Sequence, residues 1–363
     1  MTHLALQERI KILAEASKYD TCSVSGICHT WGPDGRCIDL YKTLSSNCCS
    51  GECTYCPNRC GRDTTRTSLS KDEIKKITWA LYRGNSIEGL FLSSGIVGDA
   101  HQTTDFQIDV ARELRQEGFA GYIHIRLMPG VAKSQIDEIS HYADKFGINI
   151  ETTSSSHYSE ICPNFDYGID AMRRMRYTED IIKRRRREGR IVGANDTQFV
   201  VGAAGESDWE YLKKTERLIS DFSLRRPYFM AFNSVKHTPL EKEASVPLWR
   251  EHRLYQSFFL LKEYGFKASE FRQVLAGGNL QNTDPKVLLA GDLTVDINSA
   301  DEAELLRVPG IGPRSAYRII NSRPVHSFQE LKNLGVVLKR VAPYIELNGS
   351  RQERISKWLQ SAC

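Results

Sequence analysis

Five cysteines crowd the segment Asn47-Cys48-Cys49-Ser50-Gly51-Glu52-Cys53-Thr54-Tyr55-Cys56-Pro57-Asn58-Arg59-Cys60. Within it Cys49, Cys53 and Cys56 make a C-x3-C-x2-C pattern. Three thiolates on one short loop suit three irons of a [4Fe-4S] cubane, and the fourth iron stays open to a small-molecule ligand. Two other assignments use the same residues. One is a structural zinc site drawing four ligands from Cys48, Cys49, Cys53, Cys56 and Cys60. The other is a fully ligated, electron-carrying cluster with Cys60 as the fourth thiolate. Zinc ribbons pair two C-x2-C knuckles, and the sequence offers no second one. Eight of the ten cysteines fall between Cys22 and Cys60. In a reducing compartment such density favours metal over disulfides. Cys22, Cys28 and Cys37, with His29 beside them, are candidates for an auxiliary metal or cluster. Their spacing matches no standard finger, and buried or loop thiols are the simpler alternative. Cys162 and Cys363 stand alone and read as ordinary thiols.

Around the cysteines, residues 1–43 read as one amphipathic helix, carrying Leu4, Ile10, Ile12 and Leu13, and a loop-rich stretch. Strands and helices then alternate. Short apolar runs at 89–92, 122–127, 148–151, 198–201 and 228–232 predict strands, and patterns at 71–83, 105–117, 134–146 and 208–221 predict helices. Each of the first four units has the size of a βα unit with a parallel neighbour. The series predicts a partial (β/α) barrel whose chemistry sits at the carboxyl ends of its strands. An open doubly wound sheet is the alternative. The expected organisation is an N-terminal region at 1–43, a barrel core at 44–275 closed by a helix at 247–264, a polar linker at 276–292, and a helical module at 293–363.

The cysteine segment within 41–60 and the run Glu88-Gly89-Leu90-Phe91-Leu92-Ser93-Ser94-Gly95 resemble the radical S-adenosylmethionine (SAM) superfamily, and within it a bacterial subfamily named for DNA modification and repair. Further matches are Gly121-Tyr122-Ile123-His124 with Pro129-Gly130, Asn149-Ile150-Glu151, 250–256 and the C-terminal module. The resemblance implies that SAM chelates the open iron through its amino and carboxylate groups. Electron transfer into the sulfonium would then release a 5′-deoxyadenosyl radical. It places Tyr55 beside the adenine. Ser93-Ser94-Gly95 stands where the superfamily has a Gly-Gly-Glu-like turn for the methionine amino group. The glutamate is missing here, which leaves backbone carbonyls or a hydroxyl for that contact, or an ordinary βα turn. Asn149 and Glu151 alternate onto one face of a strand, where the family places polar contacts to ribose or carboxylate. The stretch Val201-Gly202-Ala203-Ala204-Gly205-Glu206 resembles a shortened G-x-I-x-G-x-x-E region, in which Gly202 and Gly205 let the backbone approach the adenine. A helix start near Glu206 reads equally well. The implied electron donor is a flavodoxin or ferredoxin.

The C-terminal module carries Val308-Pro309-Gly310-Ile311-Gly312-Pro313 between two helical patterns. This closely resembles a helix-hairpin-helix motif. Gly310 and Gly312 shape a turn whose N–H groups suit a phosphate and ignore base identity. Arg314 and Arg318, one helical turn apart, add charge. A degenerate second copy begins at Ser327 and turns around Gly335. A protein-interaction module is the other use of such a fold. Lys183 to Arg187 gives five successive cations, followed by Arg190 and by Asn195-Asp196-Thr197-Gln198. Phosphate contact and a solvated helix face both explain this run. His101, His124, His237 and His252 have no partner visible in sequence, and packing or surface roles suit them.

Net charge of +4, with 40% hydrophobic and 26% charged residues, is ordinary for a globular protein and decides little. No stretch has the roughly 18 apolar residues that a membrane span needs, and the N-terminus lacks a signal-peptide pattern. The expectation is a cytoplasmic radical SAM enzyme with nucleic acid, DNA before RNA, as partner. Two rivals remain open to the sequence. The same chemistry could act on a protein or small molecule, or a fully ligated metal site could serve a non-enzymatic protein.

Overall fold

The computed structural model describes residues 4–17, 26–31, 36–190 and 195–351. Chain contacts divide the molecule into two compact units, Met1–Glu206 with Arg217–Pro247, and Ser207–Glu216 with Leu248–Cys363. Among the described residues, no helix is long and apolar enough to cross a membrane.

The first unit begins with α1 (Leu6–Ser17) and a hairpin of β1 (Ile27–Trp31) and β2 (Cys37–Leu44). There follow α2 (Lys71–Arg83), β3 (Gly89–Ser93), α3 (Ala100–Gln116), β4 (Tyr122–Leu127), α4 (Lys133–Ile139), β5 (Lys145–Ile148), α5 (Ser155–Ile161), a π-helical turn (Tyr167–Met172), α6 (Arg173–Arg187), β6 (Asp196–Val201), α7 (Asp208–Phe222), whose residues up to Glu216 belong to the second unit, and β7 (Arg226–Ala231). Strands β2 to β5 are parallel and pair in chain order, with β1 antiparallel on the β2 edge. Strands β6 and β7 pair in parallel, and a parallel bridge, Glu151 to Phe199, links the segment after β5 to β6. Neighbours in space are therefore neighbours in sequence from β2 to β7. That is the winding of a partial barrel, and a doubly wound sheet would reverse its order midway. Helix starts follow local chemistry. Ser70 and Glu73 close a capping box on α2, and Asp99 caps α3.

Strand register sets the barrel interior. Lys42, Phe91, His124 and Lys145 pair across β2 to β5 in one row. Asp196 of β6, fully buried, lies 3.0 Å from Lys145 Nζ and 3.3 Å from His124 Nε2. Arg126 donates to its other oxygen at 3.1 Å. Gly147 of β5 leaves the room for this carboxylate, because a Cβ there would lie 1.8 Å from Asp196 Oδ1. Burial alone would lower the Lys145 ammonium, but Asp196 together with Tyr228 and Tyr122 pushes the group up. Burial would likewise raise Asp196, yet Arg126 and Lys145 hold it well below the usual carboxylate range.

Several expectations are corrected by this fold. The helix expected at 134–146 ends at Ile139, and the strand expected at 148–151 is Lys145–Ile148. Lys145 hid the strand by putting a charge inside, where its ion pair with Asp196 replaces the apolar signal. The loop expected before residue 44 contains the β1–β2 hairpin, while Cys22, Gly32, Pro33 and Gly35 lie outside the described residues. Asn195, Asp196 and Thr197, expected beside a nucleic-acid contact, are fully buried. The basic run is partly consumed internally as well. Lys183 pairs with Glu179, and Arg184 and Arg185 pair with Asp137 and Glu188.

The second unit contains α8 (Leu248–Glu263), a 3-10 stretch (Ala268–Val274), α9 (Pro285–Ala290), β8 (Val295–Asp296), α10 (Glu302–Arg307), α11 (Pro313–Asn321), α12 (Phe328–Asn333), α13 (Leu338–Val341), a 3-10 turn (Ala342–Tyr344), β9 (Ile345–Leu347) and β10 (Ser350–Arg351). The boundary expected at 275/276 thus falls inside this unit. Its polar stretch is tied down: buried Asp208 accepts from Arg250 at 2.7 Å and from the Leu280 N–H at 2.8 Å. The module is helical with one small addition, the sheet β8–β9–β10. Ile297, Leu305, Val308, Ile319, Leu331 and Val341 lie within its own apolar core.

Burial holds the His124 imidazole down at about 4, against the pull of Asp196. The unfolded chain protonates this group below its ordinary value of about 6.5 while the folded chain refuses the proton. Stability should therefore fall with acid between about pH 6.5 and 4, by up to about 3 kcal/mol from this residue. Urea unfolding of wild type and His124→Gln at about pH 7 and about pH 4.5 checks this; the variant should lose less on acidification.

Candidate active site

The cysteine loop follows β2 and is fastened on several sides. Asn47 accepts from the Thr67 N–H at 2.7 Å and donates to Thr65 at 2.8 Å. Arg66 reaches back to the carbonyls of Asn58 at 2.8 Å and Arg59 at 2.7 Å. Glu52 N–H donates to Asn164, and Thr54 N–H to Ile161 at the end of α5. Gly95 allows the β3 end to meet this loop. A Cβ there would lie 2.3 Å from the Cys48 carbonyl oxygen and 3.0 Å from Cys49 Cβ.

This fastening turns Cys49, Cys53 and Cys56 toward one cavity of about 190 Å3 at the strand ends. Cys48 and Cys60 are outside its lining, and Cys60 is exposed. Cys49 Sγ accepts N–H groups of Gly51 and Ile96, both at 3.3 Å, and Cys56 Sγ accepts that of Asn58 at 3.4 Å. Such donors stabilise thiolate charge at iron–sulfur centres. Among the described residues, these three thiols do not form a set with every ligand atom within 4.8 Å of the others. Thiolates on one tetrahedral zinc stand roughly 3.8 Å apart, given Zn–S bonds of about 2.3 Å. Three thiols on the cavity, with Cys48 and Cys60 outside its lining, fall one short of the four ligands of a closed zinc site. Burial pushes the Cys49 and Cys56 thiols up, and a hydrogen bond with Cys162, then burial, does the same to Cys53. Metal loading must therefore displace protons.

Cavity walls come from successive strands, and most expected contacts meet here. Tyr55, Ser93, Ser94, Asn149 and Glu151 line it. Glu151 has φ +59°, held by its N–H donating to Gln198 and its carbonyl accepting from Val200. Such a conformation costs a non-glycine residue of order 1 kcal/mol and clusters at functional sites. Asn149 Oδ1 is buried without a hydrogen-bond partner among the described residues. Gly95, Gly202 and Gly205 are outside the lining; Val200 occupies the β6 wall instead. Arg126 and Met230 in this lining were not foreseen, Gln198 was expected only beside a phosphate contact, and Cys162, outside the lining, only as an ordinary thiol. Arg126, only 4% exposed, brings a guanidinium anchored on Asp196 to the cavity. A polar residue inside an apolar strand run was its one sequence signal. Cys162 is buried against Cys53, and no spacing rule could pair residues so far apart in sequence.

The metal set expected from Cys22, Cys28 and Cys37 is not assembled. Cys28 points into the core with Ile38, Leu40 and Phe91, while Cys37 is exposed on the other face; Cys22 lies outside the described residues.

In the second unit, α10 and α11 flank the hairpin at Gly310 and Gly312. Gly310 has φ +93°, and Gly312 caps α11 with Pro313 at its first position. Arg314 and Arg318 are exposed on α11. A second hairpin turns at Gly335, φ +85°, between α12 and α13. Lys286 grips the first hairpin by donating to the Ile311 carbonyl at 2.6 Å, and burial lowers its ammonium to about 7.

Residues 292–339 match the family described as the helix-hairpin-helix motif. No curated protein matches the chain in sequence. Among solved structures, it is similar to HydG, a maturase of the FeFe-hydrogenase (14% identity, 61% of this chain and 49% of that one, TM-score 0.46). It is similar to methylornithine synthase, PylB (14% identity, 73% and 67%, TM-score 0.49). A third is the FeFe-hydrogenase maturase HydG from Carboxydothermus hydrogenoformans (12% identity, 61% and 50%, TM-score 0.47). The chain spans about half the length of the two maturases.

The close approach at Gly95 yields a direct test. Gly95→Ala should cost about 1–3 kcal/mol, as overpacking does. Urea unfolding of the metal-free protein measures it, and an unchanged midpoint would show that the loop does not need this close approach.

Proposed function

We propose that the chain is a radical SAM enzyme that acts on nucleic acid, DNA before RNA. Cys49, Cys53 and Cys56 would hold a [4Fe-4S] cluster. When bound and reduced by a flavodoxin or ferredoxin, the cluster with SAM supplies a 5′-deoxyadenosyl radical that abstracts hydrogen. The observation that carries this reading is the convergence of three half-buried thiols, apart from Cys48 and Cys60, on a mainly apolar cavity at the strand ends whose wall also carries Ser93, Ser94, Asn149 and Glu151.

The chain's own residues then divide the work. Hydroxyls of Ser93 and Ser94 and the side chains of Asn149 and Glu151 supply polar partners for the amino, carboxylate and ribose groups of SAM. Tyr55 would flank the adenine. Arg126 fixes a positive charge for an anionic group, and Met128, Met230 and Phe232 keep water from the reacting carbons. Gly310 and Gly312 would present backbone N–H groups to a phosphate, with Arg314 and Arg318 adding charge. Stacked bases are out of reach in a duplex, so the target nucleotide would be flipped or single-stranded.

Anaerobic reconstitution with iron and sulfide tests the chemistry. Reduced protein should release 5′-deoxyadenosine from SAM. Cys53→Ser should abolish cluster and release, and Cys60→Ser should retain both. No release from wild type, or loss of the cluster in Cys60→Ser, sinks the three-thiolate reading. Deuterium passing from labelled oligonucleotides into 5′-deoxyadenosine tests the substrate. Replacing Arg314 and Arg318 by Ala should weaken DNA binding and reduce its salt slope by about 1 for each phosphate no longer neutralised. An unchanged slope would assign the module to another partner.

A further inference from the structure

We propose that His29, Cys37 and Asp39 form a divalent-metal site, with zinc as the ion that best fits its donors. An imidazole nitrogen, a thiol sulfur and a carboxylate oxygen all lie within 4.8 Å of one another. The hairpin register produces this convergence. His29 stands directly across from Asp39, and Trp31 across from Cys37. Residues two apart on a strand share a face, so Cys37 and Asp39 sit side by side with His29 against them. His29 Nδ1 is 2.5 Å from Asp39 Oδ1. The opposite face packs Cys28, Ile38 and Leu40 against Phe91, so the donors stand on a strand pair held by core contacts.

Ligands of tetrahedral zinc lie about 2.0–2.3 Å from the ion and hence roughly 3.3–3.8 Å from each other. Small side-chain rotations bring the three atoms into that range. Nitrogen, sulfur and oxygen together make a borderline donor set that suits zinc, whereas calcium and magnesium take oxygen ligands. Three protein ligands leave a fourth position for water. An ion pair alone would account for His29 and Asp39 but not for the exposed thiol beside them, since free cysteine is among the most buried residue types. The site is seven residues along β2 from Leu44, which lines the cavity. That is roughly 23 Å of extended chain, so the site is separate from the cysteine loop. Metal there would clip β1, an edge strand, to its neighbour.

The test uses the full chain with Cys49, Cys53 and Cys56 replaced by Ala, so that metal on the loop does not contribute. After chelation, zinc is added anaerobically and the bound metal is counted after desalting; cobalt(II) serves as the optical probe. One equivalent should be retained, with a thiolate-to-cobalt charge-transfer band. Cys37→Ser in this background should remove the band, and His29→Gln should weaken binding by no less than the roughly 10- to 100-fold that follows loss of a group merely hydrogen-bonded to a ligand. Circular dichroism confirms that the variants fold. No retained metal, or equal retention after Cys37→Ser, overturns the site and leaves a plain His29–Asp39 ion pair.

Discussion

The buried carboxylate of Asp196 is the constraint on which the first unit depends. Between β5 and β6 the described residues provide a single backbone bridge, Glu151 to Phe199. Across that seam Asp196 gathers His124 and Arg126 from β4 and Lys145 from β5. A lone carboxylate this deep would be very costly, and removing one member of such a set leaves an uncompensated charge. The ion pairs thus specify which strand lies next, and Gly147 records the contact by having no side chain. The same anchor holds Arg126 at the cavity, so the seam and the cavity's positive charge are one device.

The cysteine loop shows a related economy. Its backbone is tied to the β3 end, to α5 and to Arg66, and its thiols are turned inward where water does not stabilise their charge. Protonated thiols are tolerable there, and thiolates are stable only with a cation or donor beside them. The N–H groups of Gly51, Ile96 and Asn58 supply part of that stabilisation before any metal arrives. Polar groups that the fold leaves poorly served, such as Asn149 Oδ1, face the same cavity. Unmet hydrogen-bonding capacity beside half-buried thiols is what a ligand site needs and what a core avoids. The C-terminal module is built by other means, with tight turns and an apolar core of its own.

What could be read from residue order was local. Cys49, Cys53 and Cys56 share one loop, so their spacing already limited the metals they could hold. The hairpin at Gly310 and Gly312 was legible because turn geometry selects residue types within a few positions. Most strands were legible from short apolar runs, and chain-order units of strand and helix predicted the winding. Failures came where burial was polar. Lys145 and Asp196 broke the apolar pattern of β5 and β6, because each is tolerated inside only by a partner the sequence does not place nearby.

The sequence by itself determined the cysteine loop, the βα repeat and the C-terminal hairpin, since each rests on interactions within a few residues or on strand and helix periodicity. Tertiary structure decided which distant groups meet: Cys162 with Cys53, Arg126 with Asp196, and His29 with Cys37 and Asp39 in place of Cys22, Cys28 and Cys37. Those meetings follow from strand register and from the packing of neighbouring elements. A shift of one residue would send each side chain to the opposite face, and no spacing along the chain encodes that choice.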